Sequence, residues 1–257
     1  MKAALAFIAA ASALALLPAG AAPKPKWEVG IGGFGTYSPA YWGSDESDFG
    51  GFPVIYVTYR GDGFSILSEG LFDVNADDTD RFSFGLSLDG NGGVDSEDRF
   101  FLGDIETVIE AGPKLTYALF ANGESRLEVS VAARIAYEFG EDFQGYVVEP
   151  SIAYLTTLSP TTRLGFSVTP KFGFDDYNDL YYSTPGFDAE SGYIGTAVAI
   201  NFVNDLSDRL RISAEGKVIL LGGAENEDSP LVQEDTNYSF RIGFTYSIWQ
   251  SSTMTDG

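Results

Sequence analysis

The chain has 257 residues, 37 of them acidic and 15 basic, for a net charge of −22. That balance excludes nucleic acid as a partner, because phosphates need patches of Lys and Arg. The chain has no His and no Cys. It therefore lacks disulfides, thiol chemistry, the usual general base near neutral pH and the Ser-His relay. No cofactor is expected, and no nucleophile motif accompanies the carboxylates that remain, so the chain reads as no enzyme.

Residues 1–21 read as a cleaved signal peptide. Lys2 supplies the positive start, Ala3 to Leu17 the apolar stretch, and Ala19-Gly20-Ala21 an A-x-A site cut after Ala21. Losing Lys2 leaves 14 basic residues, so the mature charge is 14 − 37, or −23. No later stretch approaches the roughly 20 apolar residues of a helical span. Residues 22–257 read as one domain without a linker.

From Trp27 onward the chain alternates apolar and polar residues with period two. This is the signature of a β-strand, whose successive side chains point to opposite faces. Strands are predicted over Trp27–Tyr37, Pro53–Arg60 and Phe64–Val74, the last two joined by a Gly61-Asp62-Gly63 hairpin turn. Asn75 to Asp80 reads as a turn. Further strands are predicted over Arg81–Asp89, Asp104–Phe120, Arg126–Glu138, Phe143–Leu155, Arg163–Phe174, Tyr193–Phe202, Arg209–Leu220 and Asn237–Trp249. In Arg126–Glu138, Leu127, Val129, Val131, Ala133, Ile135 and Tyr137 oppose Arg126, Glu128, Ser130, Arg134 and Glu138.

Six of these runs reach 12 residues or more. Strands of soluble sandwiches run about 5–6 residues, whereas membrane strands need roughly 9–11. Short turns near Ala121, Ser159 and Asn204 alternate with long loops at Asn91, Asp175 and Gly222, as in outer-membrane barrels. The expected fold is all-β, an antiparallel transmembrane β-barrel in the cell outer membrane. Eleven runs are visible, but single-chain bacterial barrels carry an even number of strands. Twelve is the expected number and ten the alternative, with the missing strand sought between Tyr37 and Asn75. Pro113, Pro150 and Pro170 fall inside strands and predict bulges or strand ends.

The polar faces carry both signs of charge. Glu106, Glu110, Lys114, Glu128, Arg134, Arg163, Lys171, Arg211, Glu215, Lys217 and Arg241 are the candidate lumen-facing charges. Their mixture predicts a lumen filled largely by ion pairs, with at best a narrow pore. Asp73-x-Asn75-x-Asp77 resembles the start of a calcium loop. However, Asp78 stands where Gly is required and Phe84 where Glu is, so a solvated turn is expected and no metal site. Tyr41, Trp42, Phe49, Tyr181, Tyr182 and Phe187 read as an aromatic girdle near the loop bases.

Trp27-Glu28-Val29-Gly30, then Tyr41-x-Gly43-Ser44-Asp45, resemble the opening of the MltA-interacting protein (MipA/OmpV) family. Gly103-Asp104-Ile105, Glu149-Pro150-Ser151, Leu206-Ser207-Asp208-Arg209 and Asp228-Ser229-Pro230-Leu231-Val232 are similar to later segments of that family, in order. One departure is the tail: such barrels usually end on an aromatic residue, but here Gln250 to Gly257 follow Trp249. The resemblance implies an outer-membrane protein among lipid and lipopolysaccharide. It further implies a scaffold contacting a murein lytic transglycosylase and a penicillin-binding synthase. The charged inner faces leave a narrow solute channel as an alternative. The acidic outer loops leave an adhesin.

Overall fold

The period-two segments pair in chain order into one antiparallel sheet. A computed structural model describes residues 25–60, 65–67, 73–75, 82–100, 102–122, 124–140, 143–174 and 176–254. The strands are β1 (Trp27–Pro39), β2 (Ser47–Arg60), β3 (Ser65–Leu67), β4 (Asp73–Asn75), β5 (Phe82–Asn91), β6 (Val108–Ala121), β7 (Ser125–Glu138), β8 (Phe143–Ser159), β9 (Thr162–Phe174), β10 (Gly192–Asp205), β11 (Leu210–Leu220) and β12 (Thr236–Gln250). One α-helix, α1 (Asp176–Tyr182), interrupts the β9–β10 connection. The sheet has 12 strands in the order β4-β3-β2-β1-β12-β11-β10-β9-β8-β7-β6-β5. Its first and last strands, β1 and β12, pair directly, for example Gly35 with Ile242. Its two ends, β4 and β5, lie beside each other, which brings the sheet round into a barrel.

The expected number of strands is thus observed, and the missing one lies where it was sought. The run predicted over Phe64–Val74 is two short antiparallel strands, β3 and β4. Asp73 and Asn75 of the calcium-like motif belong to β4, not to a turn. The Gly61-Asp62-Gly63 turn, residues 76–80 and the cleavage residue Ala21 lie outside the described residues.

The burial pattern is inverted relative to a soluble protein. Along β7, Ile135 is 44% exposed while its neighbour Arg134 is 4% exposed. Tyr238, Phe240, Ile242, Phe244 and Tyr246 of β12 likewise stand on the outside. A hydrocarbon surround makes this arrangement favourable, since apolar side chains meet lipid and polar ones meet the interior. Antiparallel pairing from β4 round to β5 also satisfies, along the sheet, the backbone groups that a bilayer cannot.

Residues 25–26 and 253–254 meet at the end of the barrel that carries the short turns. Lys26 N–H donates to Thr253 O over 2.7 Å, and Pro25 bridges Met254. The tail after Trp249 is therefore strapped to the start of β1.

The prolines do not produce the predicted bulges. The β8–β9 pairing keeps its register from Val148↔Phe172 to Ile152↔Val168, but no ladder pair forms between, where Pro150 and Pro170 lie. Likewise β6 and β7 skip from Ala111↔Ile135 to Lys114↔Ala132 around Pro113. A missing N–H interrupts a ladder locally without requiring an extra residue. A true bulge occurs elsewhere, between Ile135 and Tyr137. Gly145, at φ +84°, lies opposite it. That left-handed backbone suits glycine because it has no Cβ to clash.

Candidate functional site

The hydrophobic core of this barrel lies at the long-loop end rather than between its walls. Ala40, Tyr41, Val94, Ile105, Tyr181, Tyr182 and Leu231 are buried together there. These residues come from four different loops. The Tyr41 hydroxyl donates to Leu231 O over 2.9 Å, the Tyr182 hydroxyl to Trp42 O over 3.0 Å, and Ser229 Oγ to Tyr182 O over 2.6 Å. Arg99 donates to the carbonyls of Gly103 and Leu180. Burial holds the Tyr182 phenol well above its ordinary range, with Tyr181 and Tyr41 adding to the shift. It stays a protonated donor, as the bond to Trp42 requires.

Two sequence expectations change here. Tyr41, Tyr181 and Tyr182 are buried plug residues, not a girdle, because each finds a packing or carbonyl partner inside the loops. Only Phe49 of that aromatic set is strongly exposed, at 87%. The strand predicted from Asp104 begins instead at Val108, because Ile105 leaves the wall to bridge Val94 and enter the loop core.

Helix α1 has seven residues, too few to be stable alone. Tertiary contacts hold it. Tyr177, Asn178, Tyr181 and Tyr182 are buried, and Asn178 Nδ2 donates to Glu190 O over 2.6 Å. The helix packs on the start of β8, where a Cβ on Gly145 would stand 2.6 Å from Tyr177 N.

Beneath this plug lies a compact ion cluster. Arg134 Nε donates to Glu110 Oε2 over 3.0 Å. Its Nη2 lies 2.7 Å from Glu149 Oε1 and 3.3 Å from Asp89 Oδ2, and Nη1 donates to Ser87 Oγ over 3.2 Å. Lys171 Nζ donates to Glu110 Oε1 over 3.0 Å and lies 3.7 Å from Glu149. Tyr177 OH donates to the same Glu110 oxygen over 2.8 Å. Lys171 also lies 4.9 Å from the Tyr177 ring centroid and 5.5 Å from that of Trp42. Burial first, and then Glu110, raise the Tyr177 phenol far above its ordinary range, so it remains a donor. Asp89, Glu110 and Glu149 bring oxygens within 4.8 Å of one another, a spacing that suits a cation. The Arg134 guanidinium contacts all three and takes that place.

The cluster sits where the ladders are interrupted. Gly112, beside Pro113, allows β7 to approach closely: a Cβ there would stand 1.9 Å from Ala133 O and 2.8 Å from Arg134 Cα. Glu149 precedes Pro150 and Lys171 follows Pro170.

The other predicted charges fall in two groups. Glu106, Lys114, Glu128, Glu215, Lys217 and Arg241 line a cavity of about 1220 Å³ that also reaches Glu110, Glu149 and Lys171. Of these, Glu128 lies 2.8 Å from Arg126 Nε, and Lys217 lies 3.7 Å from Glu215, the register partner of Arg241. Glu106 belongs to the loop before β6, and its N–H donates to Glu138 Oε1 over 2.7 Å. Arg163 and Arg211 lie apart, both paired with Asp205 near the short-turn end. Two cluster members, Asp89 and Tyr177, were not among the predicted residues, whereas Glu149 shares the predicted polar face. Asp89 and Glu149 were legible from alternation, since Phe84, Leu86 and Leu88 oppose Asp89. No sequence pattern marked Tyr177.

A family model described as MltA-interacting protein MipA matches residues 31–248. No curated protein matches. Among solved structures, an outer-membrane channel from Pseudomonas putida F1 is similar with a TM-score of 0.53 at 10% identity, covering 91% of this chain and 100% of that one. A NanC porin gives 0.43 at 10% identity, covering 85% and 98%. The Pseudomonas putida toluene transporter TodX gives 0.40 at 7%, covering 87% and 89%. At such identities the likeness concerns fold alone. By its matched segment and its barrel, the chain belongs to the MltA-interacting protein MipA family and is an outer-membrane β-barrel.

Proposed function

We propose that this barrel is a non-enzymatic structural and scaffolding protein. Its short-turn end, on this reading, holds a peptidoglycan-remodelling enzyme. The observation that carries the reading is the interlocked long-loop end, where loops and α1 pack over the ion cluster. A barrel built to pass solutes gains nothing from four loops locked by carbonyl-directed tyrosine bonds. The family description names an interaction with MltA, which supports a lytic transglycosylase as the enzyme held. A penicillin-binding synthase is the second partner expected, and lipopolysaccharide surrounds the outer belt.

The docking end comprises the turns 122–124, 160–161 and 206–209 with the strapped tail. Leu206 (57% exposed) and Leu158 (61% exposed) project there. The test is binding of the refolded barrel to the soluble part of the transglycosylase by biolayer interferometry. Leu206→Asp with Leu158→Asp should weaken binding at least about tenfold, the scale of about 1.4 kcal/mol. Equal binding by the variant would refute the docking end, and no binding by the parent would refute the scaffold.

The second reading, a narrow solute channel, rests on the 1220 Å³ cavity lined by both signs of charge. Planar-bilayer recordings separate the two. A silent barrel supports the scaffold. Steady openings altered by Arg134→Ala support the channel.

A further inference from the structure

We infer that the chamber beneath the plug is a binding site for a small neutral saccharide. The register places the inner residues of neighbouring strands in level rows. One row consists of hydroxyls: Thr116 faces Ser130, Ser130 faces Ser151, and Ser151 Oγ lies 2.7 Å from Thr169 Oγ1. Three of these hydroxyls, Ser130, Ser151 and Thr169 on β7 to β9, line the chamber as a continuous band. The Ser151–Thr169 contact lies where Pro150 and Pro170 interrupt the backbone ladder, so here the side chains bridge the two strands.

The wall beside this band is built from small residues. Ala197 and Ala199 are buried on β10, and Ala153 faces Ser167 across β8 and β9. Their size leaves the chamber its volume of about 1220 Å³. Small-molecule sites usually run from about 300 to 1,000 Å³, so a disaccharide fits with accompanying water.

The charge arrangement selects against anions. Nine carboxylates line the chamber against four cations, Lys114, Lys171, Lys217 and Arg241. Lys217 is engaged by Glu215, and Lys171 by Glu110 and Glu149, so the remaining field is negative and repels an anionic solute. A hydroxyl both donates and accepts, and so do the hydroxyls of a sugar. An anion or cation would use only half of that capacity. The same cavity is lined at its upper end by Trp42, Tyr177 and Tyr182; the tyrosines are buried, and the half-buried Trp42 is the ring against which a sugar packs its C–H edge. Hydroxyl band, small walls and aromatic ceiling together describe a neutral, polyhydroxylated ligand. The inference is independent of the scaffold reading, whose test is enzyme binding.

The experiment uses the whole refolded barrel in lauryldimethylamine oxide, a detergent without a sugar headgroup. Maltose, lactose, sucrose and N,N′-diacetylchitobiose are titrated by calorimetry and tryptophan fluorescence. At least one should bind saturably. The triple variant Ser130→Ala, Ser151→Ala, Thr169→Val should weaken that binding at least about tenfold, the scale of one or two lost hydrogen bonds, while the barrel still folds by gel mobility of unheated samples. Trp42→Phe should reduce the fluorescence response while the heat signal persists. No saturable signal from any of the four sugars up to about 50 mM, some hundredfold weaker than a sub-millimolar site, overturns the inference. So does an unchanged affinity in the triple variant. Tighter binding of glucose 6-phosphate or glucosamine than of every neutral sugar also overturns it, since charge would then govern the site.

Discussion

The Tyr177 hydroxyl donates to Glu110 Oε1 across 2.8 Å, joining residues that are 67 positions apart. Glu110 sits on the barrel wall and Tyr177 on the loop helix. That carboxylate also accepts from Arg134 and Lys171, so plug and wall share one anion. The loops are therefore anchored to the lumen rather than merely resting on its rim.

Tyr177→Phe should preserve the packing and remove the anchor. A hydrogen bond to a charged group contributes about 1.5–3 kcal/mol, and urea unfolding in micelles should register a loss of that order. Proteolysis within residues 175–191 should accelerate. Unchanged stability together with unchanged cleavage would show that the plug is held by packing alone.

Arg134→Met should destabilise the barrel by about 3–5 kcal/mol, because three carboxylates would then face Lys171 alone. Adding Glu110→Gln should recover part of that loss, since neighbours in one network are not additive. Urea midpoints of the two single variants and the double variant provide the comparison. Strict additivity would contradict the network.

Gly145→Ala should cost about 1–3 kcal/mol, since alanine resists the φ of +84° and its Cβ would meet Tyr177 N at 2.6 Å. The displaced helix should expose residues 175–191 to protease, as in Tyr177→Phe. A stable, protease-resistant variant would mean that α1 does not depend on this close approach.

Ile242→Arg tests the lipid face. Ile242 is 68% exposed near the middle of β12. A cation at bilayer depth costs about 2–4 kcal/mol, whereas the same change on a water-facing strand is nearly neutral. Folding into phosphatidylcholine vesicles, read by gel mobility of unheated samples, should fall sharply. Parent-like folding would place this face in water.

The strand faces were legible because alternation is a local property: each residue's side of the wall follows from its parity relative to its neighbours. That suffices to bring Arg134, Glu110 and Lys171 to the interior. It does not say at what height they meet, which depends on the register of β6 to β9. The loops were misread for the same reason. Tyr41, Tyr181 and Tyr182 look like girdle aromatics in sequence, and only their partners at Leu231 and Trp42 make them a plug. Ile105 fits the alternation of β6, yet burial against Val94 takes it out of the strand.

By itself the sequence determined the barrel, its lipid face and its charged interior, because period, strand length and composition each act over a few residues. Only the tertiary structure decided that the long loops interlock over the lumen and that Arg134, Lys171 and Tyr177 converge on one carboxylate. It also set the hydroxyls of four strands in one row. Those arrangements depend on register and on contacts between distant loops, which no local pattern records.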